Sequence, residues 1–341
     1  MRGSRSWCSA MSETRVFHDA GALPSEVTGT AVTVGSFDGV HLGHRDILAR
    51  LVRLAERRSL SSLLVTFDPH PLEVVNPAAA PPLLTAADER LEALAACGVD
   101  FVAVLPFTAA LQRLGAEEFV DEILRARFRM QALLMGHDHG FGRNRSGDVG
   151  TMQALGLTRH FEVEVIPPVE TATGRLISSS AIRRAVAGGD LDHAAEGLGR
   201  PYAISGTVVA GEERGRALGY RTVNLSLPSV RKLLPPAGVY AVRVQTPRGT
   251  FGGMMNLGPR PTFGDPSLSI EAHLFDTDGD FYGLRVRLDV IRWLRETRKF
   301  DGPAALVAQL REDERQARAA LTLPGSPATL QGSPDQNPEG T

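Results

Sequence analysis

The stretch from Val34 to His44 combines a turn, two histidines and a helix start in a pattern suited to phosphate binding. The β-branched run before it, from Ala31 to Val34, predicts a buried strand, and apolar residues recur at helical spacing after it. His41 and His44 lie three residues apart, so they share one face of the predicted helix. Free backbone N–H groups and the positive end of the helix dipole favour an anion at this position. We interpret the histidine pair as a site for the phosphates of a nucleotide.

The alternative interpretation is two surface histidines on an ordinary helix, because a short H-x-x-H motif often matches by chance. The strand, the turn and the helix around this motif agree with one another and favour the phosphate site. Gly43 adds to this interpretation, since a residue without a side chain lets a phosphate approach the backbone.

Two later stretches also carry residue types that bind phosphate. Residues 136–147 combine several glycines with Arg143 and Arg145, and arginine suits phosphate or carboxylate; the alternative is a flexible surface loop. Residues 178–180 are three serines at a predicted helix start, and Arg183 follows one turn later. One serine suffices to cap a helix. Three serines with an inward-facing arginine therefore indicate a second phosphate-binding element.

The composition excludes several classes of partner and chemistry. The chain has 341 residues and a net charge of −2, which indicates neither a nucleic acid nor a membrane surface as partner. No apolar run approaches transmembrane length. The first ten residues lack the apolar core of a signal peptide, so we expect a cytoplasmic protein. Cys8 and Cys97 provide neither a disulfide framework nor metal-ligand spacing.

The lysine content excludes a Walker-type phosphate loop. Lys232 and Lys299 are the only two lysines, and the motif G-x-x-x-x-G-K-[ST] is absent from the sequence. Phosphate chemistry must therefore use arginine, histidine, hydroxyls, backbone N–H groups and a metal ion.

The first part of the chain alternates between predicted strands and helices. This alternation predicts a parallel sheet with helices on both faces, with ligands at the carboxyl ends of the strands. Thr85 with Asp88 predicts a capping box, and the Asp-Pro-His-Pro loop at 68–71 is expected to be structural. The predicted strands are 31–36, 62–67, 101–105, 131–135 and 161–166, and the predicted helices are 43–58, 86–97, 115–128 and 179–187.

The pattern changes near residues 190–202, after which short strands dominate. Several short strands at regular spacing predict a small antiparallel barrel, followed by a helix from Pro303 to about Ala320. We predict domains at 12–188 and 200–321 and disorder in the two chain ends, 1–11 and 324–341. The predicted barrel strands are 203–210, 238–245, 250–256, 269–275 and 284–291.

Four motifs of the first part together resemble the adenylyltransferase half of bacterial bifunctional riboflavin kinase/FAD synthetases, over residues 14–187. These are G-x-F-D-G-V-H-x-G-H, T-F-D-P-H-P, G-x-D-x-x-F-G and I-S-S-S-x-I-R. The resemblance implies a Rossmann-like nucleotidyltransferase domain that converts FMN and ATP to FAD and pyrophosphate. It implies catalytic roles for His41 and His44, and flavin contacts for Asp138 and Phe141. The ATP and phosphate contacts that it implies are Gly35, Phe37, Asp38, Gly39, Gly43, Ser178, Ser179, Ser180 and Arg183.

The motifs of the second part resemble the riboflavin kinase half of the same enzymes, over residues 200–320. They include the stretches 206–224, 256–263 and 271–274. The resemblance implies that Gly211, Thr222 and Asn224 bind ATP, that Thr222 and Asn224 also bind Mg²⁺, that Arg260 contacts the flavin, and that Glu271 is the catalytic base. Arg221-Thr-Val-Asn stands where the family has Pro-Thr-Ala-Asn, and His139 stands where it usually has Phe.

The chemistry of the two reactions fits the residues assigned to them. The attacking phosphate of FMN is already ionised near neutral pH, so the first reaction requires no general base. The 5′-hydroxyl of riboflavin does require one, which fits Glu271 beside Thr222 and Asn224. The alternative for Glu271 is a glutamate on the solvent face of a strand.

Three functional hypotheses remain open at the level of sequence. The first is an enzyme that phosphorylates riboflavin and adenylylates FMN, with riboflavin, FMN and ATP as small-molecule substrates. The second is an enzyme in which only the adenylyltransferase is active, because Arg221 impairs the kinase. The third is a flavin-binding regulatory protein without turnover. The sequence leaves the oligomeric state undetermined.

Overall fold

The structure is a computed structural model that describes residues 14–18, 23–138, 140–143, 146–171, 173–210, 220, 222–229, 231–259 and 268–322. The chain forms two compact units, one up to Ser179 and the other from Ser180. This division lies inside the predicted first domain, 12–188. The predicted domain limits at 188 and 200 therefore remain predictions. The two chain ends, Gly211 and Arg260 lie outside the described residues.

The first unit contains a parallel sheet of six strands. Its strands lie in the order β1-β4-β3-β2-β5-β6, and every neighbouring pair is parallel. The chain therefore runs outward from β2 in both directions across the sheet, which makes the boundary between β2 and β5 a topological switch point. The strands are β1 (Arg15–His18), β2 (Thr30–Val34), β3 (Ser61–Asp68), β4 (Phe101–Pro106), β5 (Met130–Gly136) and β6 (Glu162–Ile166).

Helices cover both faces of this sheet. The longest, α1, packs Leu48, Leu51 and Leu54 against Ala31 and its neighbours on one face. The opposite face packs against a π-helix, Phe119–Arg127, and against α6. Strands buried on both sides explain the near-continuous apolar runs in the sequence. The helices are α1 (Leu42–Arg58), α2 (Pro71–Val75), α3 (Ala87–Ala95), α4 (Ala109–Arg113), α5 (Ala116–Glu118) and α6 (Val149–Arg159).

The second unit is a closed antiparallel barrel of six strands with a terminal helix. The strand order around the barrel is β10-β11-β8-β7-β12-β9. Two short helices precede the barrel, and α7 spans the boundary between the units. Their bounds, with those of the barrel elements, are α7 (Ser179–Ala187), α8 (Leu191–Leu198), β7 (Tyr202–Val209), β8 (Thr222–Ser226), β9 (Gly238–Thr246), β10 (Gly249–Pro259), β11 (Leu268–Leu274), β12 (Arg285–Arg295) and α9 (Pro303–Leu321).

The terminal helix α9 covers one face of the barrel. Ala317 and Ala320 pack against Ala241 on β9 and against other apolar side chains of the barrel. The buried carboxylate of Asp313 accepts hydrogen bonds from Arg295 at the end of β12, and the Nη2–Oδ2 distance is 2.6 Å. Small side chains let the helix approach the strands closely, and this ion pair fixes its position along them.

The predicted fold class is confirmed, but some elements differ from the prediction. β1, β8 and α6 were not predicted, and α6 contains Gly150 and Gly156, which lower its helix propensity. The predicted capping box of Thr85 with Asp88 is wrong. The helix α3 begins at Ala87, and the Glu89 carboxylate accepts a hydrogen bond from Ala86 N at 2.9 Å. Among the described residues, the helices are too short or too polar for any of them to cross a membrane.

Candidate active sites

A cavity of about 500 Å³ lies in the first unit, at the carboxyl edge of the parallel sheet. Its walls come from the segments that follow β2, β5 and β6, and from the residues that lead into α7. This is the switch point at which open α/β sheets bind ligands. The lining residues include Gly35, Phe37, His41, Gly43, His44, His137, Asp138, Pro167, Pro168, Ile177, Ser178 and Ser179.

The two histidines of the motif form a stacked pair in this cavity. The ring centroids of His41 and His44 are 3.6 Å apart, and the rings are nearly parallel. His41 is the N-cap of α1, and its Nδ1 accepts a hydrogen bond from His44 N at 3.2 Å. That bond places the proton of a neutral His41 imidazole on Nε2, which can donate to an anion. A Cβ at Gly43 would come within 3.2 Å of the His41 ring, so a larger residue there would require the ring to shift.

The turn before the histidines has an unusual backbone. Phe37 and Val40 both have positive φ, 49° and 40°, and Gly39 between them has φ 85°. A left-handed conformation is rare for a β-branched residue such as Val40, and such strain concentrates at functional sites. The Phe37 ring contacts His44, with centroids 4.7 Å apart. The strained turn is therefore in direct contact with the histidine pair.

Asp38, expected to contact phosphate, is buried and is not among the described residues that line the cavity, so that contact stays a prediction. Its side chain is 1% exposed, and its carboxylate accepts hydrogen bonds from the backbone N–H groups of Leu84 and Thr85, both at 2.9 Å. Gly39 donates its N–H to the Thr85 hydroxyl at 3.0 Å. These bonds connect the turn to the residues that precede α3.

The three predicted serines occupy two different settings. Ser178 and Ser179 line the cavity, and the Ser179 hydroxyl donates to the backbone carbonyl of Asp38 at 3.0 Å. Ser180 and Arg183 belong to α7 in the second unit. Phosphate contacts from these last two residues remain a prediction.

The loop after β5 divides into a cavity wall and a packed segment. His137 and Asp138 line the cavity, with their side chains 3.9 Å apart, and the Asp138 side chain is 83% exposed. Phe141, expected to contact the flavin, is buried in the core, and its ring packs against Phe119 with centroids 5.4 Å apart. Phe141 thus has a packing role in this structure and its flavin contact stays a prediction, whereas Asp138 lines the cavity with an exposed carboxylate.

The predicted kinase residues come together on one face of the barrel. Glu271 on β11 pairs directly with Asn224 on β8, and His273 pairs with Thr222. Directly paired residues of neighbouring antiparallel strands lie on the same face, about 4.5–5.5 Å apart at Cβ. The hydroxyl of Thr222, the amide of Asn224 and the carboxylate of Glu271 thus form a set of oxygen donors of the type that Mg²⁺ prefers. The part of the chain that the structure describes contains no cluster of three or more His, Cys, Asp or Glu that could hold a metal.

Sequence reasoning missed Asn256 as part of this face. Asn256 on β10 pairs directly with Glu271 from the side opposite Asn224, so the carboxylate has an asparagine on each neighbouring strand. Only the pairing of the strands shows that Asn256 lies beside Glu271, and a single sequence does not specify that pairing. The Pro167-Pro168 wall of the first cavity was also missed, although its position directly after a predicted strand could have indicated it.

The comparisons with known proteins agree for both units. Residues 23–181 match the family described as FAD synthetase, and residues 198–321 match the riboflavin kinase family. Proteins named bifunctional riboflavin kinase/FMN adenylyltransferase are similar over nearly their full length. The protein of Escherichia coli K12 is 36% identical over 91% of this chain and 97% of its own. That of Pseudomonas fluorescens is 39% identical over 87% of this chain and 94% of its own.

A solved structure supports the fold across both units. A crystal structure described as a macrolide-efflux protein from Streptococcus pneumoniae has a TM-score of 0.78 and 29% identity, and it covers 89% of this chain and 98% of its own. That description differs from the flavin-enzyme names of the relatives, and the match therefore supports the fold alone. Together, the two family matches and the full-length relatives establish that the chain belongs to the bifunctional riboflavin kinase/FMN adenylyltransferase family.

Proposed function

We propose that this protein makes FAD in two steps, phosphorylation of riboflavin in the barrel and adenylylation of FMN in the first unit. The observation that carries the proposal is the stacked histidine pair at a helix start, lining a cavity of about 500 Å³ at the switch point of the sheet. A cavity of this size falls within the range that binds small molecules.

In the proposed adenylylation, a phosphate oxygen of FMN attacks the α-phosphorus of ATP and pyrophosphate leaves. The chain then has to position the two substrates and stabilise negative charge, since the nucleophile is already ionised. His41, with the proton of its neutral ring on Nε2, and His44 beside it are suited to the ATP phosphates. Ser178 and Ser179 supply hydroxyls on the same cavity, and Asp138 supplies an exposed carboxylate for the flavin.

In the proposed kinase reaction, the 5′-hydroxyl of riboflavin attacks the γ-phosphorus of ATP and ADP leaves. Glu271 accepts the hydroxyl proton, which makes the oxygen a better nucleophile. Thr222 and Asn224 would hold Mg²⁺ and the ATP phosphates, and bound Mg²⁺ would neutralise phosphate charge. Both residues share a face with Glu271, which supports this assignment. The proposed ATP contact of Gly211 and flavin contact of Arg260 lie outside the described residues.

The test is to incubate the purified chain with riboflavin, ATP and Mg²⁺ and to separate FMN from FAD by chromatography over time. We expect FMN to appear first and FAD to follow. FAD formed only when FMN is supplied would instead favour the enzyme with a single active unit. Flavin binding without either product would favour the regulatory protein.

A further inference from the structure

A buried polar network connects the turn before the histidines to the start of α3. Thr85 donates from its hydroxyl to Asp38 Oδ1 at 3.0 Å, and the same hydroxyl accepts the N–H of Gly39 at 3.0 Å. The other carboxylate oxygen of Asp38 accepts the N–H of Leu84 at 2.9 Å. Asp38 and Thr85 are both buried, so water cannot readily replace these bonds.

A buried arginine on α3 connects the same turn to the next strand. Arg90 donates from Nη1 to the carbonyl of Ser36 at 3.2 Å and from Nη2 to the carbonyl of Phe67 at 3.0 Å. These carbonyls lie just beyond β2 and near the end of β3, the neighbouring strands on this side of the cavity. Burial lowers the pKa of the Arg90 guanidinium, and the carboxylates of Asp68 and Asp38 oppose that shift.

The network surrounds the strained part of the turn. The network holds the turn through hydrogen bonds to Ser36, Asp38 and Gly39. Phe37 lies between the first two of these residues, and Val40 follows the third; both have positive φ. A non-glycine residue keeps such a conformation only when its surroundings hold it there. The bonds from Thr85 and Arg90 supply that restraint.

We propose that Thr85 and Arg90 are positioning residues, which hold the strained turn 36–40 so that His41 and His44 stack in the cavity. Neither is among the described residues that line the cavity, so both act through Asp38 and Ser36. Asp38 accordingly serves as the anchor of the turn. The catalytic consequence of this inference rests on the proposed adenylyltransferase function, whereas its structural consequence does not.

The first experiment compares Thr85→Val with Thr85→Ser in the full chain. Valine keeps the shape of threonine but removes the hydroxyl that accepts from Gly39 N–H and donates to Asp38, whereas serine keeps that hydroxyl. We expect Thr85→Val to lower kcat for FAD formation about tenfold or more with a smaller change in KM for ATP, because small displacements of catalytic groups slow reactions strongly. Thr85→Ser should restore most of the rate.

A matched control separates positioning from a loss of stability. Thr108 also uses its hydroxyl as an acceptor, for Leu111 N at 3.2 Å at the start of α4, but it belongs to neither the cavity nor the network. Thr108→Val should lower the stability of the first unit without changing kcat of the folded protein. Circular dichroism and thermal unfolding show whether the first unit of each variant is folded, and riboflavin phosphorylation in the barrel checks the amount of protein.

The second experiment observes the histidines directly by NMR. Stacked imidazoles shift one another's C–H signals, and the His41 and His44 signals are assigned from His→Gln variants. Thr85→Val should move both signals, whereas Thr85→Ser and Thr108→Val should leave them in place. If Thr85→Val fails to fold, Arg90→Lys replaces it, since a single ammonium group cannot serve two separated carbonyls in the same way.

The outcomes separate this inference from the proposed function. A folded Thr85→Val or Arg90→Lys protein with unchanged histidine signals and unchanged kcat would overturn the positioning role. A wild-type protein that makes no FAD would overturn the proposed function, and the histidine signals would then decide the positioning role alone.

Discussion

At the scale of single residues, the two proposed reactions differ in what they require from a carboxylate. The hydroxyl of riboflavin needs a base, and the phosphate of FMN does not. Glu271→Gln keeps the size of the side chain and removes the base. We expect the variant to lose about 10²–10⁴-fold in FMN formation while it converts supplied FMN to FAD at the normal rate. Chromatography of both reactions measures this difference.

The variant Asn256→Ala provides the matched comparison for Glu271→Gln, because it changes the cross-strand neighbour of the carboxylate without removing the base. It should reduce FMN formation less than Glu271→Gln does. Normal FMN production by a folded Glu271→Gln protein would contradict the assignment of the base and would leave Glu271 as an ordinary strand residue.

The histidine pair provides the opposite test, in the first unit. His41→Ala or His44→Ala should reduce FAD formation about hundredfold, since one contact to developing charge contributes about 3 kcal/mol, and should leave FMN formation intact. His41→Asn is the matched variant, because an asparagine can still accept the N–H of His44 as the helix cap. A loss of less than about threefold in both alanine variants would contradict their catalytic role and leave the histidines with a structural role alone.

The sequence predicted which residues gather at the cavity of the first unit better than it predicted which residues hold the turn beside it. The histidines, Ser178, Ser179 and Asp138 line one cavity, as their motifs indicated. The motif that contains Asp38 holds both residues that line the cavity, such as His41, and buried residues that fix the turn, such as Asp38. The spacing of the motif does not distinguish the two kinds. The anchors of Asp38 are the backbone of Leu84 and Thr85, more than forty residues away in sequence, so only the folded chain identifies them.

At the scale of elements, the terminal helix and the barrel are joined by ion pairs with a defined pH dependence. Arg318 on α9 donates to both carboxylate oxygens of Asp276, at 2.8 and 2.9 Å, and these hydrogen bonds lower the pKa of Asp276. A carboxyl group with a lowered folded pKa stabilises the protein above its unfolded pKa of about 4. That contribution is lost as the pH falls through the folded pKa.

Asp276→Asn should therefore lower the free energy of unfolding of the barrel at pH 7, and the difference from wild type should shrink as the pH falls below 4. Urea unfolding measures this in a Trp7→Phe background, in which Trp293 on the barrel is the remaining tryptophan of the two. Arg318→Met removes the same ion pair and should show the same pH dependence. A difference that stays constant from pH 7 to pH 3 would assign the effect of Asp276→Asn to another cause.

The elements that the sequence predicted best are those with a strong apolar period. All five predicted parallel strands were located within one residue at their starts, and α7 was located at its observed bounds. The missed elements lack such a period: β8 is short and mixes polar with apolar residues, and α6 carries two glycines. Their positions depend on tertiary packing, which overrides weak local preference.

At the scale of the whole molecule, the two sets of site residues fall on two compact units, so the activities should be separable. All described residues that line the first cavity precede Ser180, and the barrel begins at Tyr202. The helix α7 between them carries Ser180 and Arg183, which the family resemblance assigns to phosphate binding. Whether FAD formation requires α7 therefore decides where the adenylyltransferase domain ends.

Two fragments that differ only in α7 answer this question. The fragment 1–189 retains α7 and should convert FMN and ATP to FAD at a rate near that of the full chain. The fragment 1–179 keeps the residues that line the cavity but loses Ser180 and Arg183, so its KM for ATP should rise about tenfold or more, the effect of losing a charge-assisted contact. Arg183→Ala in the full chain is the matched control and should show a similar loss. A folded fragment 1–189 without activity would contradict the predicted domain, and equal activity of the two fragments would remove Ser180 and Arg183 from the proposed phosphate site.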